Sequence, residues 1–200
     1  MNQKTLNLFL WVLMALSALA IGLYALSFFA VDVFNPQFKA RFAGYPVKAY
    51  LHIIPGGIAL MLGPLQFSRK LRSAYPVVHR RTGLIYVICV IGGASGALLI
   101  APMAHGSIAN SLGFMCLGAL WLYSVLQAYR YARAHDFLRH RRWMIRNYAL
   151  TFAAVTLRLY LALLQAGFGL GFDEAYAIVA WLCWIPNLVI AEWFLIDDKG

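Results

Sequence analysis

Six runs of about twenty mostly apolar residues take up most of this 200-residue chain. A helix rises 1.5 Å per residue and the hydrocarbon core of a bilayer is about 30 Å thick, so one crossing takes roughly twenty residues. In hydrocarbon each segment must satisfy its own backbone N–H and C=O groups, and for such uniformly apolar runs the α-helix does so. The runs are 8–30, 50–67, 83–101, 108–129, 148–168 and 175–195. They predict an all-α fold: one integral membrane bundle of six transmembrane helices forming a single domain over residues 1–200. Composition agrees, at 62% hydrophobic and 12% charged, where a soluble domain is nearer half apolar and a quarter charged. So few ionisable groups would not coat a soluble surface. A soluble enzyme, a disordered tail and a disulfide-stapled secreted module are thereby excluded. Cys89, Cys116 and Cys183 are odd in number, lie in apolar runs and form no CxxC pair. They read as inert buried thiols rather than as disulfide or zinc partners.

The net charge of +10 is distributed in a way that orients the bundle. Arg69, Lys70, Arg72, Arg80 and Arg81 lie between the second and third runs, and Arg130, Arg133, Arg139, Arg141, Arg142 and Arg146 between the fourth and fifth. The third connection carries no Lys or Arg, and the fifth carries Asp173 and Glu174. By the excess of basic residues on the cytoplasmic side, both termini are expected in the cytoplasm of a bacterium, with the chain in its inner membrane. The expected partners are the bilayer itself and anionic lipid headgroups at the two basic connections. No nucleic acid is expected, because the basic residues are split between two short segments, and a homodimer is compatible with so small a bundle. Ala18-Leu19-Ala20 resembles a weak signal-peptidase site, but the apolar run continues to Val31, which favours a retained helix. The stretch 34–48, with Pro36, Gly44 and Pro46, reads as an outer loop or short interfacial helix. The six tryptophans read as an aromatic belt near the span ends.

Inside the spans the polar residues are the informative ones. Asn147, Thr151, Arg158 and Gln165 are spaced 4, 7 and 7, so they share a helical face. Arg158 is mid-run, roughly 15 Å deep, where an arginine costs from about 2.5 to over 10 kcal/mol and needs a partner, water or a ligand. Asp32 and Glu192 lie near span ends, so Asn187, tyrosine hydroxyls or carbonyls freed near Pro55 and Pro186 are the available internal partners. In the second run His52, Gly56, Ala59, Gly63 and Gln66 form a heptad-like face with a small centre, open to another backbone or a flat ligand. Pro55-Gly56-Gly57 is expected to kink that helix or loosen its hydrogen bonds. Gly92, Gly93 and Gly96 mark close packing in the third run.

A bilayer-embedded haem b requires two imidazoles on facing helices at one depth. His79 and His140 both stand at cytoplasmic helix starts, each followed by two arginines. They are the candidate metal-ligating pair, with Arg80 and Arg141 placed to hold propionates. His52 and His105 form a second candidate pair toward the outer face, and His135 reads as a solvated loop residue.

Three blocks resemble one known family. Leu51-His52-Ile53-Ile54-Pro55-Gly56-Gly57, running on to Gly63-Pro64-Leu65-Gln66-Phe67, is similar to the opening block of the domain-of-unknown-function family 2306. So are His79-Arg80-Arg81-Thr82-Gly83 and the block from His140-Arg141-Arg142-Trp143 through Arg146-Asn147 to Arg158. The resemblance runs from about residue 49 to the end of the fifth run. It implies a bacterial multi-pass membrane protein and names no reaction. Its motif positions are His52, Gln66, His79, Arg80, His140, Arg141, Trp143, Arg146 and Arg158.

Three functions follow from these residues. The first is a haem-binding redox or haem-handling protein, with His79 and His140 ligating iron, Arg80 and Arg141 holding propionates, and His52 with Arg158 binding a second cofactor or a quinone near the outer half. The second is a carrier or receptor for a small amphipathic anion, with Arg158, Gln66, Asn147, Thr151 and Gln165 as ligand-binding residues. The third is a non-catalytic assembly factor that docks through its basic segments. Hydrolysis is poorly supported, since there is no nucleophile elbow, HExxH or intramembrane aspartate pair.

Overall fold

The structure, a computed structural model, describes residues 2–28 and 44–196. Among these, six helical stretches are long and apolar enough to cross a membrane: Lys4–Ser27, Pro46–Gln66, Pro76–Met103, Ile108–Arg133, Phe137–Gly167 and Phe172–Leu195. In chain order the helices are α1 (Gln3–Ser27), α2 (Pro46–Gln66), α3 (Arg69–Ala74), α4 (Pro76–Ile100), α5 (Ile108–Arg133), α6 (Phe137–Thr151), α7 (Ala153–Ala162), α8 (Phe172–Leu182) and α9 (Ile185–Ile190). The fifth span is α6 and α7 followed by a π-helical turn, and the sixth is α8 and α9 followed by another. The expectations for the end of the first run, for Asp32 and for most of the stretch 34–48 lie outside the described residues. The end of that stretch opens α2, with Pro46 in its first turn, where its missing N–H leaves no bond unmade.

The helices reach further than the apolar runs at the basic end. The arginines expected in connections are instead largely helical: they lie in α3, in the early turns of α4 and α6 and, as Arg130 and Arg133, in the last turn of α5. Ser68 caps α3 through Leu71 N–H, and Asp136 caps α6 through Arg139 N–H. The central order of packing is α1–α2–α4–α5–α6, with α8 closing against α5 and α7. The α2–α4 contact is the closest approach of backbone to backbone that the glycines describe. A Cβ at Gly96 would sit 2.6 Å from the His52 amide nitrogen, and one at Gly93 3.2 Å from Gly56 N. The small faces foreseen on both helices thus meet backbone to backbone.

α2 stays helical through Pro55-Gly56-Gly57 and on through Pro64. Pro64 has no N–H to give the Leu60 carbonyl. Tyr148 supplies the missing donor, its hydroxyl 3.1 Å from Leu60 O. Gly63 makes room, since a Cβ there would overlap the Tyr148 ring. Tyr148→Phe leaves a buried carbonyl unpaired and is expected to cost about 1–3 kcal/mol. A lower unfolding temperature in detergent checks this, and an unchanged one would show that Leu60 O is satisfied without the hydroxyl.

The breaks fall in the fifth and sixth spans instead. The fifth turns at Phe152, and the sixth between Cys183 and Trp184. Asn187 stitches the two together: its Nδ2 lies 3.1 Å from Ala149 O, 3.1 Å from Thr156 Oγ1 and 3.0 Å from Cys183 O. Thr156 Oγ1 also donates to Cys183 O. Carbonyls freed by irregular backbone are thus paired within the protein, as the bilayer requires. Asn187 is therefore engaged with backbone and is not the partner of Arg158. Trp121 and Trp184 depart from the aromatic-belt expectation, both being buried, with indole N–H groups bonded to Thr151 Oγ1 and Ala180 O. Cys116 departs from the buried-thiol expectation, for it is exposed on the surface of the bundle.

Candidate functional site

The half of the bundle away from the basic segments encloses a cavity of about 510 Å³. It is bordered by the C-terminal part of α1, the beginnings of α2 and α5, the end of α4, and the region around the α6–α7 break. Most of the lining is apolar or small. Among the described lining residues Arg158 is the only Lys, Arg, Asp or Glu, and the other polar side chains are His52, His105, Thr151, Trp121 and three tyrosines.

Arg158 enters the cavity from α7. Its Nη1 donates to Ala154 O at 2.6 Å, and its guanidinium lies 4.9 Å from the centroid of the Tyr24 ring. No described carboxylate pairs with it. A guanidinium has five N–H donors in a planar fork, so among the described residues the Ala154 carbonyl and Tyr24, through its ring face and its hydroxyl, leave donor capacity for an oxygen in the cavity. His52 enters from α2 across the Gly93–Gly96 contact. Its Nδ1 is 2.9 Å from Gly93 O, and Trp121 meets the imidazole edge-on at 6.3 Å between centroids.

Beneath the cavity lies a buried polar cluster. Tyr86 Oη donates to Asn147 Oδ1 at 2.6 Å and stands 3.0 Å from Thr151 Oγ1. Asn147 Nδ2 donates to Trp121 O and Ser124 Oγ. The Trp121 indole donates to Thr151 Oγ1 at 2.8 Å. Each polar side chain here has a partner, which suits a rigid floor that fixes Trp121 and, through it, His52.

The residues expected on one ligand-binding face therefore separate. Arg158 and Thr151 border the cavity, Asn147 lies in the cluster beneath it, and Gln165 is exposed in the π-helical turn. The turn at Phe152 and the π-helical turn both spoil the 3.6-residue register on which the shared face rested. Gln66 is buried toward the basic end, where its Nε2 donates to Thr82 Oγ1. Tyr24, Tyr86 and Trp121 were not foreseen as site residues. The signal for Trp121 was present, because it lies mid-run, too deep for a belt.

At the basic end His79 and His140 come within electrostatic reach of each other. His140 Nδ1 is 2.9 Å from Ala128 O, whereas His79 Nδ1 is buried without a hydrogen-bond partner. Neither histidine borders the cavity. Arg80 and Arg141 are exposed there, and Arg146 makes a two-pronged ion pair with Glu192, at 2.5 and 2.8 Å. At the opposite end His105 Nε2 meets Asp173 Oδ1 at 2.5 Å, joining the α4–α5 connection to the start of α8 beside the cavity. Among the described residues no group of three or more His, Cys, Asp or Glu could hold a metal ion.

The model of the family described as predicted membrane protein (DUF2306) matches residues 49–195. No curated protein and no solved structure matches the chain.

Proposed function

We propose, from the premise that the chain belongs to the DUF2306 family of membrane proteins, that it is a carrier or receptor for a small amphipathic anion held in the cavity at Arg158. One observation carries this reading: a largely apolar cavity of about 510 Å³ has, among the described residues, a single Arg and no carboxylate in its lining. Binding sites for small molecules are of this kind, apolar with a few placed polar groups. A guanidinium in such surroundings favours a carboxylate or a polarised carbonyl. With the basic end taken as cytoplasmic, the chain sits in a bacterial inner membrane with both termini inside. The cavity then lies in the outer half, and the arginines of α3, α4 and α6 meet anionic headgroups.

Thermal unfolding of the protein in a nonionic detergent tests the reading, with nonanoate and nonylamine as probes. The expected result is a dose-dependent rise in unfolding temperature with the carboxylate and little or none with the amine. Equal effects of the two probes would overturn it.

A second reading has its own observation. His79 and His140 share one end, His140 is oriented by the Ala128 carbonyl, and His79 Nδ1 is buried and unpartnered. We propose haem b as the group such a pair would hold, with Arg80 and Arg141 near its propionates. A reduced-minus-oxidised spectrum of protein supplied with haem is expected to show the sharp α band of bis-imidazole haem, which His140→Ala removes. A flat spectrum from the wild-type chain would dismiss haem without touching the cavity.

A further inference from the structure

The cavity has a second pole, and it is of opposite hydrogen-bonding character. A carbonyl oxygen has no proton to give, so the contact with Gly93 O assigns the hydrogen to His52 Nδ1. In the neutral ring Nε2 is therefore an acceptor. The bond to Gly93 O is the ring's only hydrogen bond among the described residues, and the ring borders the cavity. Two contacts hold the imidazole in place. Trp121 packs edge-on against it and is itself pinned to Thr151, while the Gly96 contact fixes the His52 backbone. A hydrogen-bonded second partner that sets tautomer and ring orientation is what a recognition histidine needs.

Arg158 can only donate and His52 Nε2 can only accept, and the two are close enough for the arginine's charge to reach the imidazole. Gly56, Gly57, Gly118, Ala153 and Ala154 line the same cavity with little side-chain bulk, giving width for a ring rather than for a single alkyl chain. We propose that the occupant is an amphipathic aromatic hydroxy acid, with an acceptor oxygen on Arg158 and a ring hydroxyl donating to His52 Nε2. This rests on the reading of the cavity as an anion site and adds the occupant's second functional group.

Affinities of the purified full chain for 3-pentyl-4-hydroxybenzoate, 3-pentylbenzoate and nonanoate test it. The two benzoates differ only by the hydroxyl. The wild-type chain is expected to bind the hydroxylated probe about 10-fold more tightly, the worth of one well-made hydrogen bond to a placed acceptor. His52→Phe is expected to abolish that gain, so that the two benzoates bind the variant equally. Equal binding of the two benzoates to the wild-type chain, or binding of nonanoate without either benzoate, would overturn the inference while the anion site stands. If nonanoate also fails to bind, the anion site and this inference fall together. The wild-type comparison decides the matter even where His52→Phe does not fold.

Discussion

Arg158→Gln is expected to weaken nonanoate binding on the order of 100-fold and, in the same preparation, to leave the ligand-free protein as stable as the wild type or more so. The two halves of this result come from one energy balance. Losing one partner of a buried, hydrogen-bonded charge pair costs about 2–5 kcal/mol, and each 1.4 kcal/mol is tenfold in affinity. Without ligand, the described partners of the guanidinium are the Ala154 carbonyl and Tyr24, by its ring face and its hydroxyl. These offset only part of the cost of a cation deep in the bilayer. Glutamine removes that charge and keeps a donor for Ala154 O. A stability–function trade-off of this sign is expected of a residue kept for binding. An arginine that merely braces the bundle predicts the reverse, a fall in unfolding temperature on substitution and no change in affinity. Thermal unfolding with and without nonanoate reads both halves at once.

Gly96→Ala is the substitution expected to damage the fold most for its size. The added Cβ would meet His52 N at 2.6 Å and Leu51 C at 2.8 Å, both of them backbone, so no side chain can swing aside. Either α2 and α4 separate or the helix at His52 shifts. Overpacking of a tight contact costs typically 1–3 kcal/mol and occasionally more, and the upper part of that range is expected here. For a chain of this length about 3 kcal/mol lowers the unfolding temperature by roughly 6–12 °C. Gly92→Ala is the control: its Cβ would find nothing nearer than 3.8 Å, and the neighbours there are side chains. The Gly96 variant is also expected to loosen the His52–Gly93 bond, one turn away, and so to erode discrimination between the hydroxylated and plain benzoates. Equal unfolding temperatures for the Gly92 and Gly96 variants would contradict the close α2–α4 contact.

The fold was legible in the sequence because bilayer thickness sets the length of each apolar run and leaves few alternatives to a helix. The runs located six spans among the described residues, and charge distribution separated the basic end from the other. What the runs missed was how far the helices extend beyond hydrocarbon, since α3 and the first turns of α4 and α6 are polar. Proline was an uneven guide to breaks, since the sixth span breaks just before Pro186 while α2 stays helical through Pro55 and Pro64. Pro64 is absorbed by a donor from a distant residue, Tyr148, whereas the fifth span breaks at Phe152 with no proline nearby. Arg158 stood out from sequence alone, because a mid-run arginine is costly wherever it faces. Its neighbours did not stand out in the same way. Tyr24 approaches from another helix, and the stripe containing Gln165 assumed a helical register that two irregular turns disrupt. His52 was visible as a histidine within a span. Its tautomer was not, because it depends on a carbonyl 41 residues away in sequence.

Photolabelling by a medium-chain carboxylate bearing a diazirine, mapped by peptide sequencing in wild-type and Arg158→Gln protein, tests the occupied cavity most directly. The account predicts label on cavity residues such as Gly57, Phe114 and Leu157, displaced by nonanoate and lost in the variant. Label confined to outward residues such as Leu13, Leu16 and Ile88, equal in both proteins, would contradict it.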